Sequence, residues 1–252
     1  MTLSLADRTI LVTGTARGLG RAIALRLAEA GARRVLADIN MDAAGETLAQ
    51  VHATGATARL VAVDLGDPDS VAALGQDIAA AEGVLHGLVN NAAIATNVGG
   101  MGFEEIEIDL WDRVMRVNVR GTWLMVRACA PLLRASGSGR VVNVASDTAI
   151  WGAPRLLSYT SSKGAVMSMT RSLARELGPD GVGVTCVAPG ILTTESTDYV
   201  PEARHRLYAD GRAVPGAQSA ESVTDTVAFL LSEGALTLTG QILPVNNGFV
   251  FN

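Results

Sequence analysis

Short apolar runs rich in β-branched residues alternate along this chain with longer alanine- and leucine-rich segments whose apolar positions recur at helical spacing. The runs predict strands at "TILVT" (9 to 13), "RVLADI" (34 to 39), "ARLVAVD" (58 to 64), "GLVNN" (87 to 91), "RVVNVAS" (140 to 146), "VGVTCVAP" (182 to 189) and "QILPVN" (241 to 246). Between them the pattern predicts helices near 18 to 30, 42 to 53, 69 to 81, 109 to 135, 157 to 177 and 220 to 232. Strand alternating with helix is the signature of a parallel sheet with crossover helices. Because the strands are nearly continuous apolar runs, both faces of the sheet should be covered.

The interval from Gly190 to Ser219 breaks this rhythm. It has mixed polarity, two prolines and no clean period, and is too long for an ordinary connection. In an α/β protein such a segment is expected to be a lid or substrate loop. No repeat, low-complexity tract or linker divides the rest, and 252 residues with 48% hydrophobic side chains suit one domain over residues 1 to 252 with a sizeable core.

Charge and cysteine usage narrow the function classes. Twenty basic residues against 25 acidic ones give a net charge of −5, which offers no footprint for nucleic acid or an anionic membrane surface. Cys129 and Cys186 lie far apart in apolar surroundings and read as buried thiols. No apolar run reaches membrane-spanning length, and the first residues lack a basic leader and cleavage site, so a cytoplasmic location is expected. The three histidines share no metal-ligand spacing, and no metal is expected.

The first strand runs directly into "TGTARGLG" (13 to 20) and then into a helical segment. Gly14, Gly18 and Gly20 let the backbone approach a ligand closely, and the amides of a helix N-terminus suit a pyrophosphate. A tight strand-to-helix turn without a ligand would use the same glycines. Asp38 favours the nucleotide, since it ends the second strand 20 positions after Gly18, where a dinucleotide fold places an acid on the ribose hydroxyls. Its carboxylate would repel a 2′-phosphate, so NAD (as NADH in the reductive direction) is expected over NADP, although Arg17, Arg33 and Arg34 supply a countering field. Asp64 could bond the adenine edge or serve as a turn residue.

Further on, "SYTSSKGAV" places Tyr159 and Lys163 one helical turn apart. An ammonium beside a phenol is expected to draw the tyrosine pKa down toward the range of a working acid or base. Ser146 falls at the carboxyl edge of the sheet, where ligands of open α/β folds bind, and could hold a substrate oxygen.

Each of these residues has an ordinary structural use on its own, but in this order the set resembles the short-chain dehydrogenase/reductase family. The matching stretches are "TGTARGLG", "NNAA" (90 to 93), "VNVRG" around Asn118, Ser146, "YTSSK" and "APG" (188 to 190), with Tyr159 following Ser146 by 13 positions. The resemblance implies a single doubly wound Rossmann domain of the α/β class, about seven parallel strands with helices on both faces. It implies Tyr159 as general acid or base, Ser146 polarising the substrate oxygen, Lys163 tuning the phenol and binding the nicotinamide ribose, and Asn118 holding a proton-relaying water. Cofactor contacts are implied at Gly14, Arg17, Gly18, Leu19 and Gly20, at Asp38, Asp64 and Leu65, at Asn90, Asn91 and Ala92, at Tyr159 and Lys163, and at Pro189, Gly190, Leu192 and Thr194. Two departures stand out: Ala93 where the family usually has glycine, and "PVNNG" (244 to 248) in place of "VDGG". A homotetramer packed through the helices at 109 to 135 and 157 to 177 is implied as well.

Candidate substrate-pocket residues are Ile94, Thr148, Trp151 and Leu156, with the lid from Glu195 to Tyr208. Trp151 could instead pack between subunits, and Arg204, His205 and Arg206 could meet an acidic substrate or form a solvated helix face. The mainly apolar set suits a small hydrophobic, aromatic or cyclic secondary alcohol and its ketone. A 3-oxoacyl-carrier-protein reductase using NADPH would share the apparatus, but Asp38 and the acidic balance argue against it. A non-catalytic nucleotide sensor on the same fold would be expected to have lost the catalytic set.

Overall fold

The computed structural model describes residues 4–251; residues 1–3 and 252 of the single-domain reading lie outside the described residues. Seven strands form one parallel sheet: β1 (Thr9–Thr13), β2 (Arg33–Asp38), β3 (Ala58–Ala62), β4 (Gly87–Asn90), β5 (Arg140–Val144), β6 (Gly183–Pro189) and β7 (Ile242–Val245), in the order β3-β2-β1-β4-β5-β6-β7. Neighbouring residues on a strand face opposite sides, and both sides are apolar. Leu11, Leu88, Val141 and Val184 pack on one side; Ile10, Val12, Val89, Val142 and Val187 pack on the other.

Each side is sealed by the apolar stripe of its crossover helices. Val71, Leu74 and Ile78 of α3 (Pro68–Glu82) share the first cluster with residues of two later helices. Ile23 and Leu27 of α1 (Gly18–Glu29) share the second with Val223 and Val227 near the C-terminus. The α2 helix (Met41–Ala53) closes the β2 and β3 edge through Val51 against Leu36. The strand order reverses direction at β1 and β4, so the chain leaves these two carboxyl ends toward opposite faces and opens a crevice between them. This is the doubly wound Rossmann architecture.

The structure corrects the predicted helix at 109 to 135. It is α4 (Ile108–Val114), a π-helical stretch (Met115–Gly121) and α5 (Thr122–Ala135). At Gly121 the chain passes so near Leu65 that an added Cβ would lie 2.8 Å from its carbonyl oxygen. Beyond β5 a single turn, α6 (Thr148–Trp151), precedes α7 (Leu157–Leu177). Ser146 and Asp64, read as strand residues, lie just past the ends of β5 and β3.

The irregular interval also contains a helix, α8 (Glu202–Gly211), in which Tyr208 alone is buried. With so little apolar surface it carries no readable period. Thr193 and Ser219 pair as a bridge at the base of the interval, and α9 (Glu221–Leu230) follows. Cys129 and Cys186 are free and buried. Among the described residues no helix is long and apolar enough to cross a membrane.

Candidate active site

The crevice begins where β1 turns into α1. Gly14 has φ 72°, and a Cβ there would lie 2.7 Å from the Ala92 Cα. A Cβ on Gly20 would run into the Gly14 carbonyl. Glycine at both positions keeps this backbone bare, as a cradle for a phosphate requires. The turn is tied to β4 by Thr13, whose hydroxyl accepts from the Asn91 and Ala92 amides at 3.1 Å each, while the Asn91 side chain donates to the Thr13 and Gly14 carbonyls at 3.0 Å.

Asp38 closes one side of the cradle. Its carboxylate accepts from the Ala16 amide at 2.8 Å and the Asn40 amide at 2.9 Å, which holds an acid beside the glycine turn. A bare cradle at a helix N-terminus with a fixed carboxylate at the next strand fits the diphosphate and ribose of a dinucleotide. Arg17 lines the same end.

At the other end, Ser146, Tyr159 and Lys163 border one cavity of about 1500 Å³, continuous with the cradle. The Thr148 hydroxyl donates to Ser146 Oγ at 2.9 Å, fixing that hydroxyl, and Lys163 Nζ donates to the Val144 carbonyl at 2.7 Å. The Tyr159 pKa shifts opposite to the sequence expectation: burial pushes the phenol up to about 12, against the pull of its hydrogen bond with Ser146. Tyr199 and Asp147 add to the upward shift. Burial also drives the Lys163 ammonium down to about 8, against a small upward effect of Cys186. Burial therefore favours the neutral phenol over the phenolate.

Of the sequence-derived cofactor positions, Gly14, Arg17, Leu19, Gly20, Asp38, Asp64, Leu65, Asn91, Ala92, Pro189, Gly190, Leu192 and Thr194 border the same cavity, as do Ile94, Thr148 and Leu156 of the substrate set. Four expected positions do not. Gly18 starts α1 just outside the lining. Asn90 is buried beneath it, donating to Asn143 Oδ1 at 2.9 Å. Asn118 sits in the π-helical stretch, accepting from the Ile94 amide at 2.7 Å and donating to the Ile94 carbonyl and Ser162 Oγ at 3.1 Å each, so its amide braces the Ile94 loop. Trp151 is the fourth: its indole lies edge-on to Phe249 and to Tyr208, itself a lining residue, and its N–H finds its acceptor at Tyr208 Oη, 3.0 Å away.

Sequence reasoning missed Asp147, Tyr208 and Asn246, which meet at the end of β5. Asp147 Oδ1 accepts from Tyr208 Oη at 2.7 Å, and Oδ2 accepts from Asn246 Nδ2 at 3.1 Å. The signal for them lay in the "PVNNG" departure. With the family's usual aspartate at 246, two carboxylates would stand face to face.

Comparison with known proteins places the fold in a family. The family model described as enoyl-(acyl carrier protein) reductase matches residues 14–250. The (2S)-[(R)-hydroxy(phenyl)methyl]succinyl-CoA dehydrogenase subunit BbsD of Thauera aromatica is 32% identical over 98% of each chain. The 3-alpha-(or 20-beta)-hydroxysteroid dehydrogenase of Mycobacterium bovis is 35% identical over 98% of this chain and 90% of its own. A crystal structure from Beutenbergia cavernae, assigned as an NAD(P)-dependent gluconate 5-dehydrogenase with NADP bound at low occupancy, superposes with a TM-score of 0.92 at 33% identity over 99% of each chain.

Proposed function

The chain belongs to the short-chain dehydrogenase/reductase family, nicotinamide-dependent oxidoreductases acting on CH–OH groups, and from this premise we propose that it interconverts a small, mainly hydrophobic or cyclic secondary alcohol and its ketone with NAD(H). The observation that carries the reading is the gathering of Ser146, Tyr159 and Lys163 on one cavity continuous with the glycine cradle. Ile94, Ala95, Leu156, Val200 and Leu207 line the end where the substrate would sit, a surface that favours apolar groups around the reacting carbon.

The bound nicotinamide would supply or accept the hydride. The chain does the rest. Ser146, its hydroxyl oriented by Thr148, holds the substrate oxygen; Tyr159 gives that oxygen a proton in reduction and removes it in oxidation. Lys163, anchored to Val144, holds positive charge beside the phenol and binds the cofactor ribose. Asn118 keeps the Ile94 loop in place over the cleft. Asp38 stands where a 2′-phosphate would have to go, which supports NAD; Arg17 is its opponent, and the Beutenbergia structure holds NADP.

The same reading makes residues 190–219 the substrate lid of one cytoplasmic catalytic domain, with neither nucleic acid nor membrane as partner. Exposed apolar side chains on α4, α5 and α7, at Ile108 (76%), Trp123 (44%) and Leu157 (43%), support assembly into a homotetramer through those helices.

The test is NAD(P)H oxidation with a panel of cyclic, aromatic and 3-oxoacyl thioester ketones. Oxidation of NADH by a cyclic or aromatic ketone is expected. Preference for NADPH with the thioesters would replace this reading by an acyl-carrier-protein reductase, and cofactor binding without oxidation of any ketone, or of any alcohol in reverse, would make the protein a non-catalytic binder.

A further inference from the structure

The residue after the catalytic serine position is a buried carboxylate that the proposed reaction does not use. Asp147 is completely buried, and it forms the centre of a hydrogen-bonded row. Trp151 Nε1 donates to Tyr208 Oη at 3.0 Å, Tyr208 Oη donates to Asp147 Oδ1 at 2.7 Å, and Asn246 Nδ2 donates to Asp147 Oδ2 at 3.1 Å. The row joins three separate parts of the chain: the turn after β5 with the α6 that continues it, the lid helix α8 and the loop after β7.

The surroundings leave it no slack. The Tyr208 ring stacks on Phe249 with centroids 4.1 Å apart. A Cβ on Gly190 would meet Asp147 Oδ2, Asn246 Cβ and Tyr208 Cε1, each at 3.1 Å, so a side chain there would press on all three members of the row. Arg212, at the end of α8, donates to the Ile191 and Gly216 carbonyls at 2.7 and 2.6 Å and places its charge near the carboxylate. Burial raises the Asp147 pKa to about 6, while the bonds from Tyr208 and Asn246 and the charge of Arg212 pull it back.

Tyr208 is the only buried residue of α8, so this row is the helix's buried anchor, while Arg204 donates to the Pro154 carbonyl at its outer face and Arg212 ties its C-terminal end. The same helix carries Arg204 and Leu207, which line the cavity together with Tyr208 itself. We propose that Tyr208, Asp147 and Asn246 are positioning residues for the substrate: their hydrogen-bonded row fixes the lid helix at one set distance from Ser146, so that the substrate wall and the catalytic hydroxyl are placed by adjacent residues of one turn. The inference rests on the reading that this end of the cavity receives the substrate.

Tyr208→Phe tests it, keeping the stack on Phe249 and removing only the bridging hydroxyl. For the ketone that wild type reduces, KM is expected to rise about tenfold with kcat little changed, because one buried carboxylate oxygen and one indole N–H lose their partner. Amide hydrogen exchange over residues 202–211 is expected to speed up about tenfold, with NADH affinity unchanged. Asn246→Asp opposes two carboxylates and should produce the same pair of changes; the swap Asp147→Asn with Asn246→Asp restores one acid and one amide and should reverse them. Unchanged exchange in Tyr208→Phe, loss of NADH binding in step with it, or a swap no better than Asn246→Asp alone would each overturn the proposal. Because exchange needs no substrate, a wild type that reduces no ketone would sink the proposed function while leaving the anchoring decidable.

Discussion

Lys163 Nζ donates to the Val144 carbonyl at 2.7 Å, whereas the centre of the Tyr159 ring lies 5.6 Å from the same nitrogen. The ammonium is therefore tied to the end of β5 and stands apart from the aromatic ring. Burial dominates both groups, raising one pKa and lowering the other.

Tyr159→Phe removes the proposed proton donor without opening a cavity. Turnover is expected to fall by roughly 10²- to 10⁴-fold, the range a positioned general acid supplies, while NADH affinity measured by fluorescence stays as in wild type. Retention of more than about a tenth of the activity would remove Tyr159 from its role.

Lys163 gives a pH signature. Its folded-state pKa of about 8 lies below the ordinary 10.5, so between those values the unfolded chain binds more protons than the folded one and stability contributed by this site rises with pH. Lys163→Met removes that contribution. In urea denaturation the stability of wild type relative to the variant is expected to climb from pH 8 to pH 10, and a flat difference would mean that the lysine is not held in a desolvated site.

Asp38→Asn keeps an acceptor for one backbone amide and removes the charge that, on the proposed reading, would face a 2′-phosphate. The ratio of NADP to NAD turnover, compared as kcat/KM, should rise about 10- to 100-fold. A ratio that stays put would shift cofactor choice to Arg17.

How much could be read from the sequence varied with what each residue type reports. The strands were legible because burial on both faces leaves continuous runs such as "TILVT" and "RVVNV". The cradle was legible because Gly14 and Gly20 have steric reasons that no other residue satisfies. Helix α8 was not, since one buried tyrosine makes no period. Nor was the π-helical stretch: it adds no distinctive residue, and its effect shows only in where Asn118 meets Ile94. Trp151 stayed open between pocket and packing because an aromatic close to the serine in sequence suits either, while the acceptor its N–H finds is supplied by a distant helix. The pKa of Tyr159 could not be had from spacing, because burial is a tertiary quantity.

The clasp between Thr13 and Asn91 joins residues 78 positions apart, and it spans the place where the cradle forms. The clasp needs the first and fourth strands to be paired, a contact whose long loop closure is costly in entropy, so it is expected to form late in folding. Nicotinamide nucleotide should accordingly leave the early folding rate unaltered and slow unfolding instead, acting as a staple across the seam, with added stability growing as the logarithm of its free concentration once the site is saturated.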